Sequence, residues 1–92
     1  NGGEIAKVAD QGAAETRRAI DAAYAAWKPW EARTAKERGA ILRKWFELIM
    51  ANQDDLAAIA TAECGKPLAE AKGEVAYGAS FIEWFAEEAK RV

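Results

Sequence analysis

The segment that decides the fold is residues 61–92, TAECGKPLAEAKGEVAYGASFIEWFAEEAKRV. Gly65 fits the left-handed residue that closes one helix, and Pro67 fits the first turn of the next. No proline interrupts the helical pattern after Pro67. We therefore predict one long helix over residues 68–91.

This predicted helix carries apolar side chains on two opposite faces. At about 100° per residue, one stripe can pack against the rest of the chain. Its members are Leu68, Ala71, Val75, Ala79, Ile82, Ala86 and Ala89. Tyr77, Phe81 and Trp84 form a second stripe on nearly the opposite side. An uncovered aromatic patch usually marks an interface, a groove or a missing part of the protein.

Three shorter helices are predicted before this segment. The first covers residues 11–28, is capped by Asp10 and ends at Pro29. One stripe of this helix is apolar and consists of Ile20, Ala23, Tyr24 and Trp27. The arginines and the aspartate on its far side are expected to face solvent.

The second and third helices follow a connector that holds Trp30. The second covers residues 35–52 and starts with a capping box formed by Thr34 and Glu37. Its large apolar groups spread over about half of its circumference, so they need cover on two sides. The third is shorter, is capped by Asp54 or its neighbours, and closes at Gly65.

The first residues of the chain show a different pattern. Residues 4–9 alternate polar and apolar side chains, which predicts a short strand. A strand needs a neighbour, and no other segment offers one, so we expect its partner outside this chain. The predicted fold class is all-α, with about four helices plus this short N-terminal strand.

Length and composition limit what the chain can form. Its 92 residues make one small domain at most. Alanine supplies much of the hydrophobic half of the composition, so the large side chains are expected to form the core. The 13 basic and 15 acidic residues form no block of either sign. We therefore expect neither nucleic acid nor a membrane surface as a partner.

Cysteine and histidine usage exclude several kinds of site. The chain has one cysteine, Cys64, and no histidine, which excludes an internal disulfide and argues against a zinc site. A single cysteine fits a reducing compartment. With no apolar run of membrane length and no leader pattern, we expect a cytoplasmic protein.

No residue of the chain is predicted to be catalytic, cofactor-binding or metal-binding. Cys64 lacks a histidine to activate it and follows the negative end of a helix, so a partly buried structural thiol is the favoured interpretation. Gly65-Lys66 lacks the other positions of a phosphate-binding loop, so Lys66 is expected to be solvated. Several carboxylate pairs lie among exposed lysines and arginines, which favours solvated helix faces over acid–base chemistry.

The sequence resembles the N-terminal part of an aldehyde dehydrogenase, from Gly3 to the end of the chain. The matching motifs are TAKER (34–38) with ILR (41–43), DDLA (54–57), and ECGKP (63–67) with EA (70–71) and EV (74–75). Within that superfamily, WFELIMAN (45–52) and ASFIEWFAEE (79–88) are most similar to the succinate-semialdehyde dehydrogenase group.

The resemblance implies an enzyme that oxidises an aldehyde to a carboxylic acid with NAD or NADP. The family uses a cysteine thiolate, a glutamate-activated water and an oxyanion site, and all of these lie later in the family's sequence than this chain extends. Residues 1–92 would then be the N-terminal helical segment of the α/β cofactor-binding domain, inactive alone and with no cofactor of its own. Tyr77 and Phe81 would fall near the start of the substrate tunnel, and the remainder of the enzyme would be the partner.

Two alternatives remain open from the residues themselves. The chain could be a free-standing helical interaction module that binds a partner through Tyr77, Phe81 and Trp84. It could also self-associate through the faces that a parent enzyme would cover.

Overall fold

The computed structural model describes residues 1–92 and contains four α-helices. They are α1 (Ala13–Glu31), α2 (Ala35–Ala51), α3 (Gln53–Cys64) and α4 (Leu68–Glu88), and a 3-10 turn follows at Ala89–Arg91. The predicted helical content is confirmed. None of the helices combines the length and apolar character that crossing a membrane requires. The chain divides into two compact units, Asn1–Thr34 and Ala35–Val92.

The N-terminal strand predicted over residues 4–9 is absent. Residues 1–12 form no regular secondary structure, and Ile5 and Val8 are 62% and 90% exposed. A strand is held by hydrogen bonds to a neighbouring strand, and the structure contains no strand that residues 4–9 could pair with. The prediction is therefore wrong for this chain, because the alternating pattern has nothing to pair with.

α1 begins two residues later than predicted, with Gly12 rather than Asp10 as its N-cap. The Gly12 N–H donates a hydrogen bond to Oε2 of Glu15 at 2.9 Å, and Arg18 lies 3.6 Å from the same carboxylate. In a capping box, the side chain at the third helical position accepts a hydrogen bond from the N-cap N–H. This hydrogen bond needs no side chain at the N-cap, so glycine can form it. The hydrogen bond from Gly12 holds the pKa of Glu15 below its ordinary value.

Pro29 does not end α1, contrary to prediction, and the helix continues to Glu31. A proline removes its own N–H from the helix ladder and crowds the carbonyl four residues before it, but the later N–H groups can still donate. The Ala32 N–H donates to the Lys28 carbonyl and the Arg33 N–H to the Trp30 carbonyl, each at 3.1 Å. The helix therefore ends two residues past the proline.

The start of α1 is expected to depend on pH through Glu15. Its folded pKa lies below the unfolded value, so its stabilising effect is complete above about pH 4.3 and is lost as the pH falls through the folded pKa. In Glu15→Gln, the pH dependence of the Gly12 amide shift between pH 6 and about 3 should disappear in NMR titrations. Asp10→Asn, outside the helix, is the matched control; an unchanged Gly12 titration in Glu15→Gln would contradict this account.

A single residue, Asn52, joins α2 to α3. α2 starts at Ala35, directly after Thr34 as predicted. At the end of α2, the Asn52 side-chain Nδ2 donates to the Leu48 carbonyl at 2.8 Å. The Asn52 carbonyl accepts the Leu56 N–H at 3.0 Å in the first turn of α3. The same residue therefore satisfies backbone groups at both helix ends.

The predicted stop between α3 and α4 is confirmed. Gly65 has φ of 76°, a conformation that favours glycine, and its N–H donates to the Thr61 carbonyl at 2.8 Å. Pro67 is the N-cap of α4, one position before the first turn that was predicted for it, and its carbonyl accepts the Ala71 N–H at 3.0 Å. The turn at residues 65–67 thus redirects the chain into α4.

In the second unit, α4 packs against α2 and α3 through small residues. Ala57, Ala71, Ala79 and Ala86 are at most 1% exposed, and Gly39 is buried beside them. No large side chain is fully buried, so the expectation that large groups form the core is wrong. Small residues occupy the closest helix contacts because they let the backbones approach, and large groups such as Leu42, Phe46 and Ile82 are only half-buried.

Two polar contacts fix the position of α4 on α3. Gln53 Nε2 donates to the Lys72 carbonyl at 3.0 Å, and Lys72 Nζ lies 3.1 Å from Asp54 Oδ1. Both contacts join the start of α3 to the first half of α4. With the alanine contacts beneath them, they orient the opposite face of α4 outward.

Candidate functional site

The candidate site is the outward face of α4, formed by Tyr77, Phe81 and Trp84. The three side chains are 68%, 48% and 63% exposed. Tyr77 and Phe81 meet edge to face, with ring centroids 4.9 Å apart and an interplanar angle of 89°. The i, i+4, i+7 spacing placed these three rings on one face, and the predicted uncovered stripe is confirmed.

The second half of this face borders an open groove of about 700 Å³. Arg43 of α2 lines the groove together with Phe81, Trp84 and Phe85 of α4. Arg43 Nη1 is 2.8 Å from Glu83 Oε2, and the Arg43 guanidinium carbon lies 5.0 Å from the centroid of the Phe46 ring. The groove lining therefore combines aromatic side chains with an ion pair between α2 and α4.

Sequence reasoning missed this groove. Arg43 and Glu83 are 40 residues apart in the chain, and nothing in either local sequence links them. The contact follows from how α2 and α4 pack, which depends on the buried alanines and Gly39 rather than on any charged motif.

The other residues considered from the sequence lie apart from this face. Lys66, expected to be solvated, forms an ion pair with Glu74 of α4, and that hydrogen bond raises the pKa of Lys66. Cys64, expected to be partly buried, is exposed at the last position of α3. No group of three or more possible metal ligands occurs.

Both units of the chain leave large apolar side chains exposed. An uncovered apolar patch usually marks a surface that a partner or another part of the protein covers. Large exposed side chains occur on α1, α2 and α4 alike: Ile20, Tyr24, Trp27, Ile41, Trp45, Leu48, Tyr77, Phe81, Trp84 and Phe85.

Comparison with known proteins gives one consistent result. The sequence profile of the aldehyde dehydrogenase family matches residues 1–92. The chain is 68% identical over 88 residues to a glutarate-semialdehyde dehydrogenase of Pseudomonas putida, and 63% identical over 92 residues to the NADP(+) succinate-semialdehyde dehydrogenase of Escherichia coli. These matches cover 96% and 100% of the chain, but only 18% and 19% of the relatives.

Solved structures give the same result for the fold. A structure described as an E. coli NADP-dependent enzyme matches 100% of the chain and 19% of its own length, with a TM-score of 0.97 and 63% identity. A succinate-semialdehyde dehydrogenase from Burkholderia pseudomallei matches 96% of the chain and 18% of its own length, with a TM-score of 0.92 and 69% identity. The chain therefore spans about a fifth of the length of the proteins it resembles.

Proposed function

The chain belongs to the aldehyde dehydrogenase family, and we propose that it is the N-terminal helical segment of the NAD(P)-binding domain of a longer enzyme. This proposal rests on the large apolar side chains that the chain itself leaves exposed. Relatives about five times longer contain a similar segment, and large apolar side chains on α1, α2 and α4 are exposed in this chain. In this proposal the remaining four-fifths of the enzyme cover the outward faces of α1, α2 and α4.

The proposed reaction of the whole enzyme is the oxidation of succinic semialdehyde to succinate. Relatives named for succinate and glutarate semialdehydes support an aldehyde that carries a carboxyl group at its other end. The NADP(+) specificity in the name of the E. coli relative supports NADP as the acceptor, with NAD as the alternative. The lone cysteine supports a cytoplasmic location.

We propose no dinucleotide site within this chain. Its one glycine–lysine turn, Gly65-Lys66, is followed by Pro67, which has no N–H to offer a phosphate, and Lys66 is held by Glu74. The nucleotide and the catalytic cysteine are therefore assigned to the rest of the enzyme. The 92-residue chain is expected to be inactive alone.

We propose that this chain contributes part of the wall of the substrate tunnel. Tyr77 and Phe81 line the start of the substrate tunnel, where their edge-to-face contact makes a continuous apolar surface. In the same proposal residues 4–9 form a strand only when the rest of the enzyme supplies a neighbouring strand.

A segment exchange tests the proposal. The matching segment of the E. coli succinate-semialdehyde dehydrogenase is replaced by residues 1–92, and turnover of succinic and glutaric semialdehydes is measured with NADP and NAD. We expect kcat/KM for succinic semialdehyde with NADP within about tenfold of the E. coli enzyme, since the backbones match with a TM-score of 0.97 at 63% identity. The controls are the E. coli enzyme lacking the segment and the isolated chain, both expected to be inactive.

Each result of this exchange decides the proposal. An active hybrid with two inactive controls supports it. A hybrid that is insoluble, or folded without turnover, would show that residues 1–92 are not an interchangeable segment of this enzyme. Turnover by the isolated chain would contradict the assignment of the chemistry to the missing part.

A further inference from the structure

Residues 1–3, Asn-Gly-Gly, form an exposed turn ahead of α1. The Gly3 N–H donates a hydrogen bond to the side-chain Oδ1 of Asn1 at 2.9 Å. Gly2 between them has φ of 79°, and apart from its chain neighbours no atom lies within 4 Å of the place that a Cβ would occupy. This arrangement is an Asx turn, in which an asparagine side chain takes the part of a backbone carbonyl. It holds the Asn1 side chain beside the backbone that follows it.

We propose that Asn1 is a site of spontaneous deamidation through a cyclic imide formed with Gly2. The Gly2 nitrogen loses its proton to hydroxide, attacks the side-chain carbonyl carbon of Asn1 and closes a succinimide ring. The tetrahedral intermediate then breaks its bond to the side-chain nitrogen, which takes a proton from water and leaves as ammonia. Water opens the imide at either carbonyl carbon and leaves aspartate or isoaspartate. The sum of these steps consumes one water and releases one ammonia.

The geometry of the turn favours ring closure. The Gly3 N–H already donates to Oδ1 of Asn1, the oxygen on which negative charge develops when the ring closes, and such a donor stabilises the intermediate. Gly2 has no side chain to crowd the attacking nitrogen, and glycine adopts its left-handed conformation without strain. Residues 1–12 form no regular secondary structure, so no helix or strand resists the backbone rotation that ring closure requires.

The other asparagine of the chain, Asn52, is also exposed but is held in place. Its Nδ2 donates to the Leu48 carbonyl at 2.8 Å, and its backbone N–H donates to the same carbonyl at 3.1 Å. The residue after it is Gln53, whose side chain donates to the Lys72 carbonyl of α4 at 3.0 Å. Ring closure at Asn52 would break the Nδ2 hydrogen bond and move a backbone that is fixed between two helices. Deamidation is therefore expected at Asn1 and not at Asn52.

Timed incubation of the 92-residue chain at mildly alkaline pH, followed by tryptic peptide mapping, tests the proposal. Trypsin cleaves after Lys7 and after Lys44, so Asn1 and Asn52 fall in different peptides. We expect the peptide of residues 1–7 to convert into two products of equal mass, aspartate and isoaspartate, at least about tenfold faster than Asn52 deamidates. The rate should rise with pH, because the attacking group is the deprotonated Gly2 amide.

The variant Gly2→Ala distinguishes imide formation from direct hydrolysis of the side-chain amide. Alanine places a methyl group beside the attacking nitrogen and disfavours the left-handed φ, so conversion of Asn1 should slow about tenfold. Gln11 is an internal control, because it also precedes a glycine but its longer side chain closes a larger ring. The Gly12 N–H, moreover, already donates to Glu15. Gln11 should therefore stay unconverted.

Conversion of Asn1 to both products, slowed in Gly2→Ala, supports the proposal. Equal rates at Asn1 and Asn52, conversion of Gln11 as fast as that of Asn1, an unchanged rate in Gly2→Ala, or aspartate without isoaspartate would each overturn it. None of these results bears on the enzyme segment proposed above.

Discussion

Replacing Gly39 with valine is expected to lower the free energy of unfolding of the second unit by roughly 2 kcal/mol. A Cβ atom at Gly39 would lie 3.0 Å from the Ala86 backbone carbonyl oxygen and 3.4 Å from a side-chain carbon of Lys90. A valine adds two further methyl groups at this contact. Because the nearest atom belongs to the backbone of α4, relief requires α2 and α4 to move apart. Urea unfolding followed by circular dichroism measures the change.

The same substitution at Gly78 is the matched control. Gly78 also lies inside a helix, but a Cβ there meets nothing within 4 Å. Valine has a better helix propensity than glycine, so Gly78→Val should be neutral or stabilising by a few tenths of a kcal/mol. If the two variants unfold at the same urea concentration, the close approach of α2 and α4 does not determine the stability of this unit.

Sequence reasoning succeeded where a local signal decides the structure. The left-handed conformation of Gly65 was predictable because glycine adopts it without strain. The helix start at Ala35 followed from the residues before it. The opposite stripes of α4 followed from side-chain spacing alone, and the exposure of Tyr77, Phe81 and Trp84 confirms them.

Sequence reasoning failed where the structure of a segment depends on its contacts with other groups. The strand over residues 4–9 had the right alternation but no neighbour. Pro29 does not end α1, since the Ala32 N–H after it still donates to the Lys28 carbonyl before it. The groove beside Arg43 could not be predicted, because it exists only once α2 and α4 have packed.

The core shows the same limit most clearly. Large apolar groups were expected inside, yet the buried positions hold alanine and Gly39. The hydrophobicity of a side chain predicts that it will be buried, but it does not predict which part of a protein will bury it. Large groups such as Leu42 and Ile82 are half-buried, and others such as Trp45 and Tyr77 are exposed.

The aromatic face of α4 gives the second large expected effect. In the hybrid enzyme described above, Phe81→Ala should raise the KM for succinic semialdehyde about tenfold, with kcat changed less than twofold. Phe81 packs edge to face with Tyr77 at 4.9 Å, and its loss opens the proposed wall. A tenfold weaker affinity for the substrate corresponds to about 1.4 kcal/mol of lost binding free energy. A change in KM without a change in kcat indicates that the lost contact stabilised the bound substrate and the transition state equally.

Two variants separate a tunnel wall from a merely structural role. Trp45→Ala removes an aromatic side chain that is 55% exposed on α2, so it controls for lost stability: its melting temperature can fall, but its KM should not rise. Tyr77→Phe keeps the ring that contacts Phe81 and removes only the hydroxyl, so its KM should stay within about twofold if the wall acts through apolar contact. Equal KM values for Phe81→Ala and the unsubstituted hybrid would instead place the substrate path away from α4, and the outward rings would then serve only to pack against the rest of the enzyme.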